Sequence, residues 1–281
     1  MTLFNIIAHE IPLLFFTVFA QAVIGLIFVY TPAYWKGYKT DLKRFGLFTT
    51  IAMGLAILPS VFHLGDITHS LNFIRRMGVF YANNEWHIGW MNNEVAFAGL
   101  VVLFGGLLWL KEKRVFLHLA LACGILCIFF MAGAYGSMQK TVTTWRFDIT
   151  LLSFYSSMFF LGGLMYHTFF AQSEHEEKMA FLVGLFGGGL LLVSIVFQTL
   201  HLGNVQVAGI INPFDLLKGN YAKFIFGGAL LVGASMIIWY INNYLRKKCY
   251  IASALALILG TLGVLAIRAI FYGLVNTHVM L

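Results

Sequence analysis

Histidines at the edges of long apolar segments are the residues of this sequence best suited to proton chemistry. His63 ends one such segment, one helical turn after Pro59, and His9-Glu10 precedes another. An ionisable group at the edge of a low-dielectric region is costly, and histidine changes its charge near neutral pH. We therefore single out His63 as a candidate proton acceptor. The alternatives are that His63 simply faces lipid headgroups, and that Glu10 only complements the dipole of a solvated helix start.

Arg268 is a basic residue inside the last apolar segment, four residues before Tyr272. At full depth an arginine costs roughly 2.5–3.5 kcal/mol on insertion scales, and less near the interface. We therefore expect the side chain to reach outward or, as we predict, to pair with a carboxylate such as Glu94 or Glu10. A structural role and a role in ligand binding both remain open for Arg268.

The patterns required for protein-held metals are missing from the sequence. The three cysteines, Cys123, Cys127 and Cys249, form no C-x-x-C motif, which excludes four-thiolate iron–sulfur ligation and covalent haem. A b-type haem needs two histidines facing each other at a suitable depth. His118 and His167 lie towards one side of the apolar segments and His63 and His201 towards the other, so we predict neither haem nor metal in this protein.

The composition excludes a soluble globular protein. Of the 281 residues 60% are hydrophobic and 10% charged, with a mean hydropathy of +0.85, whereas soluble domains carry about 25% charged residues. The net charge of +7 resides mainly in short loops, where basic residues set membrane orientation, so nucleic acid is not the expected partner. The first apolar segment has no basic region before it and no A-x-A site, which favours a retained helix over a cleaved signal peptide.

Eight continuous apolar segments predict an all-α membrane protein with eight transmembrane helices, possibly arranged as two four-helix bundles. The segments are about 16–24 residues long, which matches a bilayer core of about 30 Å, and they are continuous rather than alternating, which excludes a β-barrel. The predicted spans are Ile11–Tyr30, Leu47–Leu64, Val95–Leu110, Val115–Met138, Ile149–Phe170, Met179–Leu202, Ala222–Ile241 and Tyr250–Tyr272.

The distribution of basic residues predicts the orientation. The loops opposite the termini contain eleven lysines and arginines, and the side with the termini contains six. The positive-inside rule therefore places both termini outside the cytoplasm. The longest loop, Asp66–Asn93, and most acidic and histidine residues map to this same side, and a loop of that length usually covers a site or docks a partner.

A weak internal repeat divides the sequence into halves, 1–140 and 141–281. Phe62-His63-Leu64-Gly65-Asp66 ends the second span, and Leu200-His201-Leu202-Gly203-Asn204 ends the sixth, 138 residues later. Two four-helix halves in parallel orientation would place both histidines on the same membrane face. One short match in an apolar sequence could also arise by chance.

Four groups of residues, in order along the sequence, resemble a known family. They are His9-Glu10-x-Pro12 with Phe16-Thr17-Val18-Phe19 and Gln21; His63-Leu64-Gly65 with Asn72, Arg76 and Gly78; Tyr135 with Thr144-Trp145; and Arg268-x-x-Phe271-Tyr272-Gly273. With them the protein resembles the membrane anchor subunits of dimethyl sulfoxide reductase, within the wider group of polysulfide-reductase-like, quinol-oxidising membrane subunits. The resemblance runs over most of the sequence.

The sequence departs from the family pattern after the histidine. The family usually has Ser-Pro following His-Leu-Gly, whereas this protein has Asp66-Ile67, and its loop is several residues longer. The family's small-polar-x-Glu motif therefore matches either Asn83-Asn84-Glu85 or Asn92-Asn93-Glu94. We favour Glu94, because the apolar span follows it at once, and the identity of the terminal acceptor stays open.

The resemblance implies a three-subunit complex of anaerobic respiration in the inner membrane of a bacterium, with both termini of this subunit in the periplasm. This subunit would anchor an iron–sulfur subunit and a catalytic subunit with molybdenum and a pterin, and would oxidise menaquinol without a haem and without reducing the terminal acceptor itself. Histidine is suited to accept a proton, and arginine is suited to stabilise negative charge. The predicted catalytic residues are His63, Arg76 and Glu94, and the predicted quinol-binding residues are His63, Arg76, Glu10, His9 and Arg268. The alternatives are a b-type cytochrome and a secondary transporter, although a transporter would place charges at the membrane centre in both halves.

Overall fold

The structure is a computed structural model that describes residues 3–38, 41–63, 76–82, 84–206, 212–217, 219–245 and 249–274. Its main elements are helices. In sequence order they are α1 (Leu3–Trp35), α2 (Leu42–His63), α3 (Trp90–Lys111), α4 (Arg114–Gly136), α5 (Phe147–Phe169), α6 (Glu174–Asn204), α7 (Pro213–Leu217), α8 (Asn220–Tyr240) and α9 (Tyr250–Gly273), with a π-helical turn at Ile241–Leu245 after α8.

Eight helices in the described part of the protein are long and apolar enough to cross a membrane: all of those above except α7. This confirms the predicted all-α membrane fold with eight spans. Several helices extend beyond the apolar segments. α6 begins at Glu174 rather than Met179, because Ser173 and Glu176 form a capping box in which each side chain binds the other's backbone N–H. Acidic residues in that first turn also complement the helix dipole.

Helix α1 lies in the middle of the bundle and packs against α2, α4, α5 and α9. The helices α1–α4 pack mainly in sequence order, and the pairs α5–α6 and α8–α9 form the other part of the bundle. The α1–α5 crossing joins the two parts at Gly25 and Gly162, where a Cβ on either glycine would overlap the backbone of the other helix. Small residues of this kind let two membrane helices approach closely.

A short β-hairpin lies in the long loop between α2 and α3, where the sequence predicts no strand. Its strands, β1 (Val79–Ala82) and β2 (Glu85–Ile88), pair antiparallel with Val79 opposite Ile88. Asn84 in the connection has φ of 64°, a left-handed conformation that asparagine tolerates better than most residues. The hairpin is held next to the first turn of α3, where Gly89 N–H donates to the Gly78 carbonyl at 3.0 Å.

Candidate functional site

Most of the predicted site residues map to one end of the bundle, which we call the terminal face. It is the end at which α1, α3 and α5 begin and α2, α4 and α9 finish. His63 is the last residue of α2, but its side chain lies outside the described residues, as do Leu64, Gly65, Asp66 and Asn72 of the same motif. His9 is exposed and Glu10 half-buried near the start of α1.

Glu94 lies in the first two turns of α3 with only 5% of its surface exposed. Its backbone carbonyl accepts a hydrogen bond from the Cys127 thiol of α4 at 3.6 Å, and among the described residues no group donates a hydrogen bond to its carboxyl group. Glu85, the other candidate for the family glutamate, is instead an exposed residue of β2. A buried acidic side chain in a membrane protein is a functional candidate by default.

Asn93 fixes the loop to the helix beside Glu94. Its buried side chain accepts a hydrogen bond from Gly78 N–H at 2.6 Å and donates one to the Gly78 carbonyl at 3.2 Å. Arg76, two residues before Gly78, is exposed, and its guanidinium lies 5.7 Å from the centre of the Phe80 ring. The structure therefore connects Arg76 to Glu94 through the Gly78–Asn93 clamp and not through a side-chain contact.

Arg268 of α9 is buried, with 2% of its surface exposed, and its partners are neutral. Its guanidinium donates to Gln21 Oε1 at 3.3 Å and to Ser157 Oγ at 3.2 Å, and lies 3.9 Å from the centre of the Phe154 ring. Among the described residues it forms no ion pair with Glu94 or Glu10, so the predicted carboxylate partner is wrong. A delocalised guanidinium can instead be stabilised by neutral acceptors and an aromatic face.

Two tyrosines next to Arg268 form a buried series of hydroxyl groups. The hydroxyls of Tyr135 and Tyr272 are 2.6 Å apart, Tyr272 donates to Thr17 Oγ1 at 3.3 Å, and Thr17 donates to the Leu14 carbonyl at 3.2 Å. Because Tyr272 donates to Thr17, Tyr135 is the donor between the two tyrosines. The carboxyl group of Glu94 and the guanidinium of Arg268 are both close enough to the two tyrosines to act on them electrostatically.

Sequence reasoning does not assign these partners to the site, although a signal is present. Thr17 and Gln21 are four residues apart in α1, and Arg268 and Tyr272 are four apart in α9. Residues at this spacing share one face of a helix. Polar residues repeated at that spacing inside apolar spans indicate a face turned to the protein interior. Ser157 shows the same spacing, four residues after Ser153 in α5.

An apolar cavity, which we call the α1–α2 slot, lies between α1 and α2, and its edge at Pro59 is one helical turn from His63. Its open volume is about 310 Å³ and its lining is almost entirely apolar. Pro59, one turn before His63, forms part of the wall, and the aromatic rings of Phe15 and Phe19 face it from α1. Ala52, Leu55, Ala56, Val23 and Met165 complete the lining. The slot suits a flat apolar ring or a lipid-like tail.

The described residues contain no group of three or more histidines, cysteines or acidic residues close enough to hold a metal ion. His118 is not part of such a group, and its Nε2 accepts a hydrogen bond from the Trp35 indole at 2.8 Å. The chemistry available at the terminal face is therefore that of protonatable side chains, hydroxyls and a buried arginine.

Comparison with known proteins identifies the family. The family model described as the DMSO reductase anchor subunit (DmsC) matches residues 5–274. The protein belongs to this family. It is 27% identical over 289 residues to the C subunit of the anaerobic dimethyl sulfoxide reductase of Haemophilus influenzae, with 97% of each sequence covered. It is 26% identical to the YnfH subunit of an anaerobic dimethyl sulfoxide reductase of Escherichia coli, with 95% of each sequence covered. No solved structure matches the protein with significance.

Membership of the DmsC family confirms the resemblance identified from the four groups of residues. Those groups span His9 to Gly273, which is close to the matched range. Together with the eight apolar helices, the family establishes the protein as a multi-pass membrane protein of the anchor-subunit type.

Proposed function

We propose that this anchor subunit oxidises menaquinol at the terminal face and passes the electrons to an iron–sulfur subunit. That subunit would serve a catalytic subunit with molybdenum and a pterin, so that the anchor does not itself reduce the terminal acceptor. The observation that carries the proposal is the α1–α2 slot, which brings an apolar, ring-sized space to within one helical turn of His63.

In the proposed reaction His63 accepts a proton from a quinol hydroxyl as the ring is oxidised. Histidine suits this role because its pKa in water lies close to ambient pH. Arg76 would stabilise negative charge that develops on a ring oxygen. Its exposure and its contact with Phe80 mean that its side chain must turn towards the slot when quinol binds.

The acidic residues of the terminal face would carry the protons away. Glu94 is buried beside the tyrosine pair, and Glu10 is half-buried near the start of α1 on the way to the surface, with His9 exposed beside it. Arg268, fixed by Gln21 and Ser157, would keep a positive potential close to the tyrosine hydroxyls. In this proposal it acts on the site through the tyrosines.

The alternatives receive no support from the described geometry. A secondary transporter would combine broken helices with charges near the membrane centre in both halves. Among the described membrane helices, the buried arginine and the buried glutamate of α3 both lie on the terminal-face side. For a b-type cytochrome, a reduced-minus-oxidised absorption spectrum of the purified protein gives the direct test.

Replacement of His63 tests the proposed function. In the assembled complex, His63→Ala should abolish acceptor reduction driven by a menaquinol analogue, because the proton acceptor at the slot is removed. Acceptor reduction driven by an artificial dye, which bypasses the membrane subunit, should be unchanged. Normal quinol-driven turnover in His63→Ala would refute the role of His63 and the proposed site.

A further inference from the structure

Two pairs of identical residues make contact inside the bundle, and in each pair one residue comes from the first half of the sequence and the other from the second half. Gly25 of α1 and Gly162 of α5, 137 residues apart in the sequence, touch backbone to backbone. Tyr135 of α4 and Tyr272 of α9 are also 137 residues apart, and their hydroxyls are 2.6 Å from each other. A residue next to a two-fold axis contacts its own copy, so both contacts are what a pseudo-two-fold axis between the halves would produce.

The helix order agrees with such an axis. At an offset of 137–138 residues α1 corresponds to α5, α2 to α6 and α4 to α9. The ends of α4 and α9 read Ala134-Tyr135-Gly136 and Phe271-Tyr272-Gly273. By the same offset, His63 at the end of α2 corresponds to His201 in the last turn of α6.

A second cavity lies between the helices that correspond to α1 and α2, but nearer to the terminal face than a copy of the α1–α2 slot would lie. Of its lining residues only Leu152 and Phe197 correspond to lining residues of the first slot, Phe15 and Pro59. It lies between α5 and α6, and we call it the α5–α6 slot. Its open volume is about 380 Å³, close to the 310 Å³ of the first. Apolar side chains of Ile149, Leu152, Phe197 and Leu200 line its walls, and the last two are half exposed on the outer surface of α6.

The rim of the α5–α6 slot contains a base and a carboxylate. His201 Nε2 lies 3.0 Å from the Thr143 carbonyl oxygen. Because a carbonyl can only accept, Nε2 carries the hydrogen and the Nδ1 of the neutral ring keeps its lone pair. Asp148 forms two hydrogen bonds with the Arg146 guanidinium, at 2.8 and 2.6 Å. By the 137-residue offset, Arg146 at the start of α5 corresponds to His9 at the start of α1, whereas Asp148 corresponds to Ile11.

From this correspondence we infer that the α5–α6 slot is a second quinol-binding site, related to the His63 site by the pseudo-two-fold repeat of the sequence. The inference rests on the proposed function for the identity of the ligand. A quinol offers two ring hydroxyls that need acceptors, and a flat apolar ring with a tail that needs apolar walls. His201 Nδ1 and Asp148 supply the first requirement, and the helix faces supply the second.

The charges at the rim favour a quinol over an anionic phospholipid. A phosphate group would need an unpaired cation, but the Arg146 guanidinium is paired with Asp148, to which it directs two of its five N–H groups. The charges of Arg146 and Asp148 cancel, so this pair does not attract anions from distances of up to a Debye length. A neutral ligand with hydroxyl donors has no such requirement.

Photolabelling of the complete complex in membrane vesicles tests the inference. The probe is a naphthoquinol analogue with a photoreactive azide on its tail, and labelled peptides are identified by mass spectrometry. Labelling is expected in two groups of peptides, one from the slot-facing parts of α1 and α2 and one from 146–152 and 197–204. Unlabelled menaquinol analogue in excess should lower the labelling of both groups by at least tenfold, whereas excess phospholipid should lower neither.

A matched pair of variants locates the second site. Leu152→Trp fills the α5–α6 slot and should remove the label from 146–152 and 197–204 while leaving that on α1 and α2. Leu192→Trp adds the same side chain to the exposed surface of α6 outside the slot and should leave both labels. The competition in the unchanged complex gives a result even if Leu152→Trp fails to assemble.

The outcomes separate the two proposals. Labelling of α1 and α2 alone, displacement of the second label by phospholipid, or a second label unaffected in assembled Leu152→Trp would each overturn the second site and leave the first. Labelling of neither slot would instead refute the proposed function on which the inference depends.

Discussion

The guanidinium of Arg268 lies in a buried position where bulk water does not reach it. Its stabilisation comes from Gln21 and Ser157 on two other helices and from the face of the Phe154 ring. Each of these groups is neutral, so the arginine keeps its positive charge without cancelling it. The charge is then felt by the tyrosine pair nearby.

The two tyrosine hydroxyls differ in the hydrogen bonds that depend on them, so their removal should lower the free energy of unfolding by different amounts. Tyr135→Phe removes one donor and leaves the bond from Tyr272 to Thr17, so it should lower the free energy of unfolding by about 0.5–1.5 kcal/mol. Tyr272→Phe leaves the Tyr135 hydroxyl buried without an acceptor and should cost about 1–3 kcal/mol. Thermal unfolding of the purified subunit in detergent measures both, and a larger loss for Tyr135→Phe would contradict the assigned donor directions.

At single residues the sequence predicts which groups are unusual better than it predicts what they touch. Arg268 stands out because charges are rare in apolar segments, and Glu94 because it matches the family's glutamate motif directly before an apolar span. Their pairing is predicted from charge alone, and it is wrong because the partner of Arg268 is set by how α1, α5 and α9 pack. That packing brings Gln21 and Ser157 to Arg268 although the three residues are far apart in the sequence. Because Gln21 and Ser157 are neutral, charge gives no indication of the contact.

The helices show the same division between local and long-range information. All eight spans are predictable, because a continuous apolar segment of bilayer length specifies a helix by itself. The predicted bounds of α6 are too short, since its first turn contains three glutamates whose place in the helix depends on the cap at Ser173. The hairpin β1–β2 escapes prediction because its strands are only four residues long: β1 does not alternate, and the alternation of β2 covers too few residues to distinguish a strand from a loop.

The crossing of α1 and α5 depends on glycine at its point of closest approach. Gly25→Ala should destabilise the subunit by about 1–3 kcal/mol, because the new methyl group would overlap the Met158 carbonyl and force the helices apart. Gly189→Ala is the control: it lies exposed on α6 with no atom of another residue near the added carbon. Its effect should be neutral or slightly stabilising, since alanine is the better helix former. Equal yields and equal unfolding temperatures for the two variants would show that the crossing is not tightly packed.

The whole molecule places the terminal face at one membrane surface and the basic loops at the other. The eleven basic residues opposite the termini predict that the terminal face lies in the periplasm. Protons released from quinol at this face would then leave to the periplasm, and we propose that the iron–sulfur subunit docks on this same face. Electrons would hardly cross the bilayer, so turnover would build little membrane potential.

Reporter fusions at the C-terminus measure this orientation. Alkaline phosphatase folds only after export, so a fusion after Leu281 should be active, whereas a fluorescent protein that matures only in the cytoplasm should be dark. A fusion in the 111–114 loop between α3 and α4 serves as the control and should give the opposite pair of results. An inactive phosphatase with a bright fluorescent reporter at the C-terminus would reverse the assignment.

Oxidation of menaquinol from the α1–α2 slot is the proposal on which the other functional roles depend, and steady-state kinetics of a slot-filling variant measures it. Ala52→Phe adds a ring to the wall of the slot, whereas Ile51→Phe adds a ring at the neighbouring, exposed position of the same helix. Both variants are assembled into the complex and assayed with a menaquinol analogue and with an artificial dye donor. Ala52→Phe should raise the KM for the quinol by at least tenfold, while dye-driven activity and both activities of Ile51→Phe stay normal. An unchanged KM in an assembled Ala52→Phe complex would contradict the proposal, because the quinol would then have to bind elsewhere.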